Sequence, residues 1–398
     1  MDDDYRAGLE RNLRSLFVLH LGSGMMLSIA VIVPFLQSNG LGLREILLLQ
    51  SIFATAIIVL EIPTGYFSDR IGRVPMAIAG SVAGFLAFVV YALSESFWGF
   101  ACAEVLLAIG FSCYSGTLEA LTYDSLLELG REKEFRKING RQMLMHFGAE
   151  SAGAVLAGFL ALISLRTPFW ANTLPFGIAC IASLSLIEPK RHKIDHHNHW
   201  KAVWDICTHT LVRSKALRSI VLLHACIASM TLMLFWSTQP FQQQIGLPLV
   251  YFGMTHAIFV AAGALASGFA HTLEKRIDDR LILLGIALTV VACFLALGTI
   301  PALWALVFFL LTRTAWGILT PTTNDLVNRM TDSSVRSTVL SVKGMAMRII
   351  FACSAPFFGA FSDLHGINAA LLFAGIIGGA VLTIVFLSMR SVWAEIPR

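Results

Sequence analysis

The chain has 398 residues, 56% hydrophobic and only 14% charged, with a mean hydropathy of +0.73. Soluble domains carry about 25% charged residues, so this composition excludes an ordinary soluble protein and points to one embedded in a bilayer. The net charge of +4 bears on lipid orientation and not on nucleic acid, and seven cysteines without a C-x-x-C pair exclude a disulfide or zinc framework.

The start, Met1-Asp2-Asp3-Asp4, is acidic and is no signal-peptide head. The first apolar run is therefore expected to remain in the mature protein. A helical crossing needs about 20 apolar residues. Twelve runs of that size follow one another, at about 14–36, 43–65, 75–94, 97–120, 140–163, 168–187, 217–240, 248–271, 280–299, 302–324, 337–360 and 367–388. Turn-forming residues separate them, among them Asn39-Gly40, Gly246-Leu247-Pro248 and His365-Gly366. Cytoplasmic flanks collect lysine and arginine. With the N-terminus inside and the feet of the spans included, all of the 29 basic residues fall on the inner side except Arg44, Arg166, Arg313 and Arg348. The pattern predicts an inner-membrane protein with both termini in the cytoplasm.

The longest polar connection divides the chain into residues 1–187, a linker at 188–216 and residues 217–398. The linker has two features of its own. Trp200, Val203, Trp204, Cys207 and Leu211 have helical spacing, which predicts a short helix lying on the membrane surface. His192, His196, His197 and His199 form a cluster that could sense a metal, but no cysteine or carboxylate set has ligand spacing, so a solvated linker is the stronger reading.

The turn between the second and third runs reads Gly65-Tyr66-Phe67-Ser68-Asp69-Arg70-Ile71-Gly72-Arg73. Its glycines permit a tight turn, and its arginines sit where cytoplasmic cations belong. This G-x-x-x-D-R-x-G-R pattern resembles the signature loop of the major facilitator superfamily of secondary transporters. A weaker copy begins at Gly268, with Thr272 in place of the aspartate, and Gly153…Gly158 matches Ser354…Gly359. The resemblance implies an all-α membrane protein of twelve transmembrane helices in two pseudo-symmetric six-helix halves. It also implies a gating latch made of Gly65, Asp69, Arg70, Gly72 and Arg73. Arg73 would pair with Asp124, and Asp69 would face the start of span 11 near Lys343.

Ionisable residues inside spans are costly and mark function by default. Glu104 and Glu150 are the proton-coupling candidates. For Glu150 a structural ion pair with His256 or Arg348 is an equal alternative. Glu61 and Arg348 are interface charges. In the family, spans 1, 4, 7 and 10 line a central cavity, which makes Met26, Tyr114, Trp236, Gln239, Arg313 and Trp316 the substrate candidates. Arg313-x-x-Trp316-Gly317 resembles the R-x-x-x-G pattern that many members carry in span 4. Here the corresponding span 4 position is Leu106. Span 5 has Gly153 and Gly158 but lacks the proline typical of drug/proton antiporters.

An apolar, aromatic and sulfur-bearing set suits an amphiphilic organic solute. The expected activity is secondary active transport by alternating access, with proton-coupled efflux favoured narrowly. Transport of a specific metabolite, anionic or siderophore-like, is the alternative. A polytopic lipid-modifying enzyme is the other class, but no H-E-x-x-H, G-x-S-x-G or phosphate-binding loop is present. The reading implies no cofactor beyond a transmembrane proton gradient, no metal, a small-molecule substrate, lipid contacts, no nucleic acid and a monomer.

Overall fold

The computed structural model describes residues 2–190, 208, 210, 214–332, 335–390 and 392–393. The linker helix and the histidine cluster lie outside the described residues. Among the described residues the chain is helical throughout. In order, the helices are α1 (Asp3–Gly24), α2 (Ile32–Ser38), α3 (Leu43–Arg70), α4 (Arg73–Leu93), α5 (Phe97–Tyr114), α6 (Thr117–Glu128), α7 (Phe135–Leu160) and α8 (Thr167–Leu184). The second series is α9 (Lys215–Gln244), α10 (Val250–Glu274), α11 (Asp279–Thr299), α12 (Leu306–Met330), α13 (Arg336–His365) and α14 (Ile367–Ser388).

Among the described residues, ten helical stretches are long and apolar enough to cross a membrane, α5 and α6 counting as one of them. The other two expected spans fall on α8 and on α1 with α2. Helices prevail because each backbone N–H and C=O must find its partner inside the segment when lipid supplies none.

Two expected spans are not continuous helices. Span 1, read as one run over 14–36, breaks between Gly24 and Ile32. Pro34 has no N–H to give the preceding turn. The break also lets α7 approach closely, since a Cβ on Gly24 would lie 2.4 Å from the His146 carbonyl oxygen. Asn172 on α8 satisfies the exposed backbone: its Oδ1 accepts from the Leu27 N–H at 2.6 Å, and its Nδ2 donates to Ser28 Oγ at 2.6 Å. Span 4 breaks at Ser115-Gly116, where Gly116 has φ +69°, a left-handed value that glycine adopts without penalty.

The chain forms two compact units. One comprises Met1–Leu41, Ile52–Ile194 and Pro248–Ala257; the other comprises Gly42–Ser51, Asp195–Leu247 and Ile258–Arg398. In the first, α4 packs on α5 and α8, and α1 packs on α6, α7 and α8. In the second, α11 packs on α12 and α14, and α9 packs on α12, α13 and α14. The pairings recur element by element, with α9 in the place of α1 and α11 in the place of α4. Gly42–Ser51, which includes the first nine residues of α3, belongs with the second unit, and the first turns of α10 belong with the first.

Candidate functional site

The signature turn is built from three elements. Gly65 to Arg70 form the end of α3, Ile71 and Gly72 turn the chain, and Arg73 opens α4. Gly72 has φ +140°, which favours glycine. Arg73 serves twice. Its backbone N–H donates to Glu188 Oε1 at 2.9 Å, and the Val74 N–H donates to Oε2 at 2.8 Å. Glu188 thus caps α4 with a carboxylate, placing negative charge at the positive end of the helix dipole. The Arg73 guanidinium donates to the Ala120 carbonyl at 2.7 Å and pairs with Asp124 on α6. Ser68 Oγ lies 3.2 Å from Thr117 Oγ1, which ties the end of α3 to the start of α6. Arg70 donates to the Tyr66 hydroxyl at 2.8 Å on the exposed side, and Asp69 is exposed in the last turn of α3.

The second unit carries a matching bracket with its charges exchanged. Arg329 near the end of α12 donates to Asp279 Oδ2, at the start of α11, at 2.5 Å, and forms an ion pair with Asp325, its Nε 2.9 Å from Oδ2. Thr322 donates to Glu274 Oε1, at the end of α10, at 2.8 Å. The cation thus stands on the tenth-span helix here and on the third-span helix in the first unit. Sequence comparison of the turns alone gave Thr272 as a lost aspartate and did not reach this pair.

Glu104 is 2% exposed and accepts from the Tyr91 hydroxyl of α4 at 2.5 Å. Tyr91 is itself enclosed by Phe88, Phe100 and Phe169. Glu104 therefore points toward α4 in an aromatic enclosure. Glu150 differs: its side chain is 24% exposed, and its Oε1 lies 3.4 Å from His256 Nε2. Glu61 on α3 and Arg348 on α13 are half-buried.

Met26 is half-buried in the break of span 1, its backbone against Gly153, where a Cβ would lie 3.3 Å from the Met26 nitrogen. Tyr114 ends α5, with its hydroxyl 2.7 Å from Ser81 Oγ. In the second unit, Trp236 and Gln239 are buried on α9, and Trp316 is half-buried on α12. The Arg313 guanidinium lies over the Phe235 ring, 4.3 Å from its centroid. An aromatic face partly replaces the water that a cation loses inside a span.

One polar cluster was not among the candidates, although its lysine was expected near the latch. Lys343 on α13 is 4% exposed and donates to Thr323 Oγ1 at 3.0 Å and to Asn324 Oδ1. Thr323 Oγ1 also lies 2.9 Å from His224 Nδ1 on α9. The sequence signal was a lysine seven residues inside an apolar run, which resembled a cytoplasmic flank.

Paired glycines bring helices together at the starts of α3 and α10. A Cβ on Gly158 would lie 2.4 Å from the Val250 carbonyl oxygen, and one on Gly253 would lie 1.9 Å from that of Ala154. Similarly, a Cβ on Gly359 would lie 2.6 Å from Arg44 Cα. Among the described residues no group of three or more His, Cys, Asp or Glu side chains could hold a metal.

A twice-repeated helical bundle with charged brackets at its turns is the architecture of a polytopic membrane protein, and the family it matches makes it a transporter and not an enzyme. The chain belongs to the Major Facilitator Superfamily, whose family model matches residues 15–352. It is 22% identical over 329 residues to the class E tetracycline resistance protein of Escherichia coli, which covers 75% of this chain and 78% of that protein. It is 29% identical over 152 residues to the inner membrane transport protein YajR of Escherichia coli K12, which covers 36% of this chain but only 32% of that protein. Among solved structures, the nucleoside transporter NupG superposes with a TM-score of 0.76 at 9% identity, covering 97% of this chain and 98% of its own. A D-xylose–proton symporter does so with 0.70 at 16%, covering 98% of each. At these identities the likeness establishes the fold.

Proposed function

We propose that this transporter exports a small amphiphilic organic solute across a bacterial inner membrane, driven by inward proton movement. The observation that carries the reading is the 22% identity to a tetracycline resistance protein along three quarters of the chain. The chemistry of the candidate cavity residues supports it. Met26, Tyr114, Trp236 and Trp316 offer aromatic and thioether surface, which adapts to varied apolar shapes. The orientation, with both termini cytoplasmic, follows from the distribution of lysine and arginine.

Glu150 is the better of the two proton carriers. A carrier must exchange its proton with water. Glu150 has a partly exposed side chain, and the His256 imidazole lies beside it at 3.4 Å. Glu104 is 2% exposed and bonded to Tyr91, which three phenylalanines surround. Arg73 with Asp124, and Asp69 in the same turn, act in gating. A second reading rests on Arg313. A guanidinium in mid-span, braced on Phe235, suits the carboxylate or phosphate of an anionic metabolite.

The test is accumulation of tetracycline and a panel of amphiphilic dyes in cells lacking their own exporters. The native protein should lower accumulation, and a protonophore or Glu150→Gln should abolish the difference. Equal accumulation with and without the native protein, across the whole panel, would overturn export and leave the anionic-metabolite reading to be tested by uptake.

A further inference from the structure

The signature octet occurs twice. Gly65-Tyr66-Phe67-Ser68-Asp69-Arg70-Ile71-Gly72 closes α3, and Gly359-Ala360-Phe361-Ser362-Asp363-Leu364-His365-Gly366 closes α13. Both read G-x-F-S-D-x-x-G. The backbone repeats as well. Gly72 has φ +140° and ψ 153°, Gly366 has φ +85° and ψ 160°, and each stands immediately before the next helix. The turn before α4 and the turn before α14 are therefore the same device.

In the second copy the aspartate has a defined occupation. Asp363 Oδ1 accepts from the Leu43 N–H at 2.8 Å, and Oδ2 accepts from the Arg44 N–H at 2.9 Å. The carboxylate thus spans the first turn of α3, where backbone donors have no partner in their own helix and the helix dipole attracts an anion. The first glycine of the octet makes the approach possible. A Cβ on Gly359 would meet Arg44 Cα at 2.6 Å and the Leu43 carbonyl at 2.7 Å, and a Cβ on Gly42 would meet Asp363 Oδ2 at 2.8 Å. At Gly65 a Cβ meets nothing within 4 Å among the described residues.

The distribution of the motif is selective. Thr272 stands four residues after Gly268 at the end of α10, and Leu162 stands four after Gly158 near the end of α7. Neither can cap a helix as a carboxylate does. Only α3 and α13 carry the aspartate. Asp363 holds the first turn of α3 and Asp69 lies in its last turn. The helix has 28 residues, about 40 Å at 1.5 Å per residue. The two aspartates therefore act at opposite ends of one helix.

We propose that Asp363, with Gly359, is a second gate: it clamps the first turn of α3 while that end is closed, and releases it when that end opens. The inference rests on the alternating-access reading and adds to it the residue that controls the end opposite the signature turn. Asp363 and its bond to the Arg44 N–H are exposed to solvent, and its bond to the Leu43 N–H is part-buried, so the clamp is weak enough to release in each cycle. Losing such a cap should shift the closed–open balance by on the order of tenfold.

The test uses full-length protein with its cysteines replaced and a single reporter, Ile46→Cys, on the first turn of α3, where Ile46 is fully buried. Right-side-out and inside-out vesicles are treated with a membrane-impermeant maleimide. Asp363→Ala should raise the labelling rate from one side about tenfold, and Gly359→Leu, which wedges the same contact, should do likewise. Asp69→Asn, which weakens the opposite end, should lower it. Simple fraying of α3 would expose the reporter whatever stood at position 69. A gate instead requires that Asp363→Ala combined with Asp69→Asn return toward the native rate.

Rates within twofold of native for both Asp363→Ala and Gly359→Leu, with Asp69→Asn still effective, would overturn the second gate and leave alternating access standing. A double variant labelling as fast as Asp363→Ala alone would reduce Asp363 to a structural cap and also overturn it. No response to any variant would overturn the alternating-access reading together with the proposal.

Discussion

At the scale of single residues, Arg73 shows what a sequence pattern can and cannot reveal. Its pairing with Asp124 was implied by the family resemblance, which links the signature turn to the end of span 4 by charge. The cap from Glu188 was not, because the donors it serves lie 115 residues earlier, on another helix. A carboxylate at the end of an apolar run resembles any flanking charge until the fold brings a helix N-terminus to it. Glu188→Ala would leave the Arg73 and Val74 N–H groups to water or to nothing. The expected loss is about 1–2 kcal/mol of stability, read as a lowered midpoint of thermal unfolding in detergent. Glu188→Gln, which keeps one acceptor, should lose less. Equal midpoints for Glu188→Ala and native protein would mean that the cap contributes nothing.

At the scale of elements, hydropathy located the spans but not their continuity. A sliding apolar run looks the same whether the helix within it is intact or broken. Span 1 breaks because Pro34, Gly24 and the packing of α7 together outweigh helix propensity. Asn172, which makes the break tolerable, lies on α8 and had no sequence signal beyond being an amide in an apolar run. It accepts from Leu27 N–H and donates to Ser28 Oγ, and it is fully buried. Asn172→Ala should therefore cost about 1–3 kcal/mol, the penalty of a buried donor left without a partner. Asn172→Asp keeps the acceptor but loses the donor, and adds a charge inside the membrane. Both variants should lower the unfolding midpoint, and an unchanged midpoint for Asn172→Ala would show that another group takes over Leu27.

At the scale of the whole molecule, the sequence boundary and the compact units differ in an informative way. Sequence reading divided the chain at 188–216, by polarity. The structure groups Gly42–Ser51 with the later residues and Pro248–Ala257 with the earlier ones. Polarity cannot show this exchange, because those segments are as apolar as their neighbours. What marks them is glycine: Gly359 against Arg44, Gly158 against Val250, and Gly253 against Ala154, each leaving no room for a side chain. Close backbone approach of this kind replaces the hydrophobic driving force that is absent between helices in lipid. It follows that neither side of the linker is structurally complete alone. Residues 1–190 lack the turns of α10 that pack on α7, and residues 214–398 lack the turns of α3 that Asp363 caps. Expressed separately, the two fragments should be degraded or aggregate. Expressed together, they should copurify through these contacts without a covalent linker. Gly253→Leu places a branched side chain where even a Cβ would lie 1.9 Å from a backbone oxygen. It should reduce copurification more strongly than Gly268→Leu, where a Cβ meets nothing within 4 Å among the described residues. Two fragments that are each stable alone and do not copurify would show that the exchanged turns contribute little, and that the polar linker is the true boundary.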